Sequence, residues 1–379
     1  MGGVDAAKAQ QRKRKLAVMQ QNLIDQLEEA FERQDLRHRA ETLRRVTDLF
    51  LSGSGKYSGE QIDLFGEVMN RLVEEIDVSA RVTFGNRLAF VADAPPRVMR
   101  GLALDDAIEV AGPVLRHSER LDDQTLVESA KTKSQEHLLA ISRRRVITEP
   151  VTDVLVERGD HDVAVSTAGN AGAKFSEFGY STLVQRAQGD DDLAVTVWVR
   201  QEIPRQHLLQ LFARASEAVR AKLEVADRGK AAGLQDMIAQ ASNQIQTEIR
   251  EMSNAYLEAR VRITALHRAG KLDETLLARF AKAGQFDEAT IALSVMADVP
   301  IGVVERAVAS RRSEQILVLA KAIGVGWDTA KAILLLQAGA QESPPEELDR
   351  CCNTYARLQR ETAKKAIQFY RLREQAASS

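Results

Sequence analysis

The stretch Gly159-Asp160-His161-Asp162-Val163-Ala164-Val165 returns thirty residues later as Gly189-Asp190-Asp191-Asp192-Leu193-Ala194-Val195. A looser copy stands at Asp105-Asp106-Ala107-Ile108-Glu109-Val110. Each copy reads as a junction between two helices. Glycine ends one helix in the left-handed region, and aspartate accepts the free amides that open the next. A spacing near thirty belongs to a helical pair, which buries its apolar face only by stacking on neighbouring pairs. The pattern predicts an all-α chain whose first part is a HEAT-like α-solenoid of short helical pairs.

Punctuation on either side keeps the same rhythm. Ser58 with Gln61 reads as a capping box. Pro95-Pro96, Asp105-Asp106, Thr125 with Glu128, Ser134 and Thr148-Glu149-Pro150 each mark a helix start. Upstream, Leu16, Met19, Leu23, Leu27, Ala30 and Phe31 form one helical stripe. Val195, Val197 and Val199 alternate as a strand would, but the Asp cap and the phase of the repeat predict helix.

After Pro204 the texture changes. His207 to Val225 reads as a longer helix, and residues 226–233 form the best hinge candidate. Leu234 to His267 then reads as one long helix. Its seam is Ile249, Met252, Tyr256, Ala259, Ile263 and Leu266. Packing within the chain is favoured for that seam over a homodimer through residues 234–267. Gly270, Gly284, Pro300 and Gly324-Val325-Gly326 separate further helices. Ser343-Pro344-Pro345-Glu346 caps a last one running to about Arg373. The expected organisation is a flexible basic N-terminus (1–15), a helical-repeat domain (16–225), a hinge (226–233) and a C-terminal helical bundle (234–375).

Composition narrows the function classes. A net charge of −2 supplies no overall field for nucleic acid or anionic membrane. No run approaches the roughly 18 apolar residues of a membrane span, and Met1 to Lys15 lacks the apolar core of a signal peptide. A cytoplasmic location in a bacterial cell is the expectation. The adjacent Cys351 and Cys352 cannot easily reach disulfide geometry, so two reduced thiols are expected.

Candidates for chemistry are few. The six histidines show no metal-ligand spacing. His161, flanked by Asp160 and Asp162 and echoed by Asp190 to Asp192, could join carboxylates around a divalent cation, although caps serve that pattern better. The glycine pairs lack a phosphate-loop context, and no GxSxG occurs. No catalytic residue, cofactor or metal ligand is assigned. Ile316 to Ile323, Gly324 and Asp328 to Leu336 match helix-turn-helix spacing. The second helix offers Asp328, Thr329, Lys331 and leucines, which suits a plain helical hairpin better than base readout.

Several stretches also occur in a familiar order. They include Arg45-Val46-Thr47-Asp48-Leu49-Phe50-Leu51, Pro113-Val114-Leu115, His137-Leu138-Leu139-Ala140-Ile141-Ser142 and Val151-Thr152-Asp153-Val154-Leu155-Val156. Asn170 leads through Gly172-Ala173 to Phe175-Ser176, and Leu319-Ala320-Lys321-Ala322 leads to Trp327-Asp328-Thr329. Over residues 36–340 the chain resembles an alphaproteobacterial family of uncharacterised proteins, catalogued as domain of unknown function number two-three-three-six. The resemblance implies a helical, HEAT-like fold and carries over no activity, cofactor or catalytic residue. Gly326 stands where a small polar cap before Trp327 is expected.

The functional expectation is a non-enzymatic protein-interaction scaffold or signalling adaptor. Its partner is another protein, with Arg143, Arg144 and Trp198 as candidate contacts. One alternative is nucleic-acid binding through Arg143-Arg144-Arg145, Arg311-Arg312 and the N-terminal basic run. Another is a metal-dependent regulator or enzyme at the acidic cluster around His161.

Overall fold

The computed structural model describes residues 36–74, 76–200, 202–213, 244–309, 313–338 and 345–377. Among them the chain is helical throughout, without a strand. One isolated parallel bridge joins Ile147 to Ala173. By contacts the chain divides into two compact units, residues 1–175 and 176–379. The stripe from Leu16 to Phe31, the basic N-terminus and the hinge expected at 226–233 lie outside the described residues.

The first unit holds α1 (Leu36–Gly53), α2 (Gly59–Val73), α3 (Val78–Leu88), α4 (Pro96–Ala103), α5 (Ile108–His117), α6 (Asp123–Thr132), α7 (Gln135–Ser142), α8 (Glu149–Arg158) and α9 (His161–Gly169). Every helix packs on the one two places along: α1 on α3, α2 on α4, and so on to α7 on α9. Odd helices therefore form one row and even helices another. Most of these helices span only two to three turns, too short to persist alone, so their stability comes from this packing. Leu88, Met99, Leu115, Leu138, Ile141 and Leu155 are buried along the rows.

The caps follow the sequence closely. Ser58 and Gln61 form the reciprocal capping box. The carboxylates of Asp77, Asp122 and Asp160 accept amide hydrogens from Ala80, Thr125 and Val163. Ser134 and Thr148 stand at the N-caps of α7 and α8 without a side-chain cap hydrogen bond, and at the Asp105-Asp106 copy the N-cap of α5 is Ala107, whose amide donates to Asp105. Two further local assignments change. Asp122, not Thr125, caps α6, because Thr125 is buried and its hydroxyl takes a hydrogen bond from Arg100. Gly159 is not left-handed: its φ is −61°. A side chain there would put Cβ 2.4 Å from the Leu155 carbonyl oxygen and from Val163 Cγ1, so close approach demands the glycine. Gly189, with φ +85°, is left-handed as expected.

Helix C-termini leave carbonyls without partners. In the first unit, side chains from the next helical pair supply donors. Arg144 donates to the carbonyls of Leu115 (α5) and Ser118, and Arg158 to that of Ala130 (α6). Asn170 donates to the carbonyls of Ser142 (α7) and Arg144. Each clamp joins residues 26 to 29 positions apart, one helical pair along the chain.

The second unit opens with α10 (Glu177–Arg186), α11 (Asp191–Trp198) and the helix 205–213, here α12. Then come α13 (244–252), α14 (Asn254–Arg268), α15 (Glu274–Lys282), α16 (Phe286–Ala297), α17 (Ile301–Ala309), α18 (Ser313–Ile323), α19 (Trp327–Ala338), α20 (Pro345–Arg357) and α21 (Arg360–Ala377). Helices α16 and α18 are central: α16 packs on α14, α15, α17 and α18, and α18 on α19, α20 and α21. Leu277, Phe280, Leu293, Val304, Ile316 and Ile333 belong to the common core.

Two expected long helices are broken. Ser253 interrupts the one read from Leu234 to His267, and its hydroxyl accepts the Tyr256 amide hydrogen as the cap of α14. The seam residues Tyr256, Ala259 and Ile263 are buried within the unit, while Met252 is left exposed at the break. The helix read from Glu346 to Arg373 is α20 and α21, parted at Leu358-Gln359. That break seats Arg360 against the carbonyls of Ala322 and Ile323, the C-terminus of α18. The cap expected at Ser343-Pro344 lies outside the described residues.

Candidate functional site

Helix α11 positions the most conspicuous surface feature. Asp190 opens it by accepting the Leu193 amide hydrogen, so helical rather than strand geometry decides where the valines fall. Val197 is fully buried, whereas Val195 and Val199 are 62% and 67% exposed. Trp198 is 39% exposed, and its ring lies 6.5 Å from that of Phe212 on α12. Positions 195, 198 and 199 are i, i+3 and i+4, hence one face of the helix. Asp191 and Asp192, both exposed, stand one turn earlier. The result is an exposed apolar face that carries an indole, with negative charge one turn earlier.

The three consecutive arginines part company. Arg144 is committed to the carbonyls of Leu115 and Ser118. Burial holds its pKa below the ordinary arginine value, partly offset by Asp123 and Glu119. Arg145 pairs with Glu119 on the surface. Arg143 is exposed at the C-terminus of α7. Trp198 and Arg143 belong to different units. Arg311-Arg312 lies outside the described residues.

Around His161 the carboxylates of Asp160 and Asp190 serve as helix caps. Among the described residues, no group of three or more His, Cys, Asp or Glu side chains could hold a metal ion. Cys351 and Cys352 are free thiols, the first buried.

The hairpin of α18 and α19 is part of the core. Ala330, Ile333, Leu334 and Leu336 of α19 are buried, leaving Asp328, Lys331 and Leu335 exposed. One acid, one base and one leucine do not compose a surface for phosphates. The missing cap at Gly326 is supplied from elsewhere: Glu274, at the start of α15, accepts from the Gly326 amide at 2.6 Å and the Thr329 hydroxyl at 2.8 Å.

A buried charged network has no counterpart in the sequence reading. Glu305 on α17 is completely buried and accepts from Arg205 at 2.6 Å and Arg250 at 2.7 Å. Arg205 also pairs with Asp287, and its guanidinium lies over the rings of Tyr256 and Phe286, 4.6 and 5.3 Å from their centroids. Burial opposes the charge on Arg205, but Glu305 and Asp287 more than offset it and raise its pKa. The one local hint was an arginine in the first turn of a helix, where the helix dipole disfavours a cation. Nearby, His207 is fully buried against the Tyr180 ring. Its Nε2 lies 3.1 Å from the Glu177 carboxylate but is too poorly aligned for a hydrogen bond.

Among the described residues, no helix is long and apolar enough to cross a membrane. No curated protein and no solved structure matches the chain. One family profile does, over residues 110–368, which is more than half of the chain. That match spans α6 to α20 whole, most of α5 and the first half of α21, and so includes the Trp198 patch and the Arg205–Glu305 network. The chain belongs to the family described as an uncharacterised protein conserved in bacteria (DUF2336).

Proposed function

We propose that this protein is a non-enzymatic interaction scaffold or adaptor that engages a partner protein through α11. The observation that carries the reading is the exposed face of Val195, Trp198 and Val199 beside Asp191 and Asp192. A tryptophan in water is costly to leave uncovered and is the residue most enriched where binding energy concentrates. Apolar patches on the surface mark interaction sites more often than chance placement does. The acidic end selects a partner segment with apolar side chains followed by lysine or arginine. Helical pairs stacked two by two suit the same role, since a repeat presents an extended, rigid surface. A bacterial, cytoplasmic setting and a HEAT-like repeat architecture are part of this proposal.

The test places a photo-crosslinking amino acid at Val199 of the full chain in its native cell, with the same substitution at exposed Glu136 as the control. A discrete adduct at Val199 that is lost in D191K/D192K supports the reading. No adduct, or the same adduct from both positions, overturns it.

A further inference from the structure

Beyond partner binding, the second unit contains a groove suited to a small molecule. It lies beside α14 and has a volume of about 430 Å³, within the range of ligand sites. Its apolar surface comes from Leu257 on α14, from Ile291 and Val295 on α16, and from Ile301 at the start of α17. Arg250, Arg260 and Tyr256 bring polar groups to the same groove.

The three differ in what they have left to offer. Arg250 is held by Glu305 on one side and by the Thr247 hydroxyl on the other, so its guanidinium is fixed in place. Arg260 makes no hydrogen bond or ion pair among the described residues. The Tyr256 hydroxyl likewise has no partner, although the residue is 5% exposed. Burial, with Glu305 second, raises the Tyr256 pKa, so the phenol stays a proton donor throughout the neutral range. Glu251 is the opposing charge at the rim. With Arg250 already paired with Glu305, the unspent donors that stand beside the aliphatic side chains, among the described residues, are the Arg260 guanidinium, the Tyr256 phenol and the Thr264 hydroxyl, with Glu251 as the one opposing carboxylate. The guanidinium and the phenol are donors, and among the described residues neither has an acceptor.

An unpaired planar guanidinium and an unpaired hydroxyl beside aliphatic side chains define a ligand with two parts. One part is a compact anion; the other is an apolar body of several carbons. We infer that the groove lined by Tyr256, Leu257 and Arg260 binds a small organic anion with an aliphatic body, such as a medium-chain carboxylate.

Isothermal titration calorimetry of the full chain tests this with sodium octanoate, octanol and sodium acetate. Octanoate should bind roughly tenfold more tightly than octanol, which lacks the charge, and than acetate, which lacks the body. Arg260→Gln and Tyr256→Phe should each weaken octanoate by roughly five- to tenfold and leave octanol unchanged. Arg260 is exposed, so its variant should melt like the parent and remain interpretable if Tyr256→Phe unfolds. Equal binding of octanoate and octanol, no octanoate binding at about 10 mM, or full octanoate affinity in Arg260→Gln would overturn the assignment. Loss of octanoate binding in D191K/D192K would overturn it as well, by placing the site at the α11 patch.

Discussion

Replacing Glu305 by glutamine keeps the shape of the side chain and removes its charge from the centre of the second unit. Glu305 has no exposed surface and receives two charge-assisted hydrogen bonds, from Arg205 at 2.6 Å and Arg250 at 2.7 Å. In the variant, a carboxamide must present its NH2 to one of two guanidinium donors. Arg205, 7% exposed, would keep only Asp287. Hydrogen bonds to charged groups contribute about 1.5–3 kcal/mol each, and stranding a buried charge costs about 3–5 kcal/mol. The two routes agree on a loss of about 3–5 kcal/mol. With an m-value of about 2 kcal/mol per M in urea, the midpoint should fall by about 1.5–2.5 M. Tryptophan fluorescence is the natural probe, because both tryptophans, Trp198 and Trp327, lie in the second unit. Arg250→Gln with Glu305→Gln should cost less than the sum of the single changes, since both remove the same bond. A midpoint shift under about 0.5 M for Glu305→Gln would refute the claim that this network holds the unit together.

Arg144→Met should destabilise the first unit by about 2–3 kcal/mol by orphaning the carbonyls of Leu115 and Ser118, whereas Arg143→Ala should stay within about 0.5 kcal/mol. Amide exchange at residues 115–121 reads the difference, and equal effects would contradict the clamp. Gly159→Ala should cost about 2–3 kcal/mol through the clash with Leu155 and Val163, and Gly189→Ala about 1–2 kcal/mol through its positive φ. Thermal melts that reverse that order would contradict the close-approach argument. Burial works against the charge of Asp93, but hydrogen bonds from the Gly55 amide and the Ser54 hydroxyl more than offset it and hold its pKa below the usual range. Its contribution is therefore present above the unfolded carboxylate value of about 3.9 and lost as pH falls through the lower folded value. Asp93→Asn should flatten stability against pH in that acidic window, and an unchanged profile would count against a stabilising role for the Ser54 and Gly55 hydrogen bonds.

What could be read along the chain was local chemistry. Asp160 and Asp190 sit three residues before the amides they cap, and Ser58 and Gln61 face each other across the same interval. Those short-range devices announce helix starts whatever the tertiary fold. The valines of α11 were legible in the same way, since a helix assignment alone puts 195 and 199 together and 197 opposite. The partners that lay far off in sequence left no such trace. Glu274 caps α19 from 52 residues away, and Arg205 meets Asp287 and Glu305 across 82 and 100 residues. Nor did apolar periodicity disclose the breaks at Ser253 and Leu358-Gln359. The stripe on either side of each break keeps helical spacing, and only a cap and a distant carbonyl select the interruption. For the same reason Arg144 read as a free surface cation, when its position one helical pair beyond Leu115 gives it a structural task.

The interaction proposal stands or falls on Trp198. Once crosslinking at Val199 has supplied a partner, its affinity for the full chain should be measured by calorimetry for the parent protein, Trp198→Ala and Arg143→Ala. A centrally placed tryptophan predicts a loss of about 2 kcal/mol or more, roughly thirtyfold, for Trp198→Ala, while the fold and the Arg143→Ala affinity stay unchanged. Parent-like affinity in a folded Trp198→Ala protein would contradict the account.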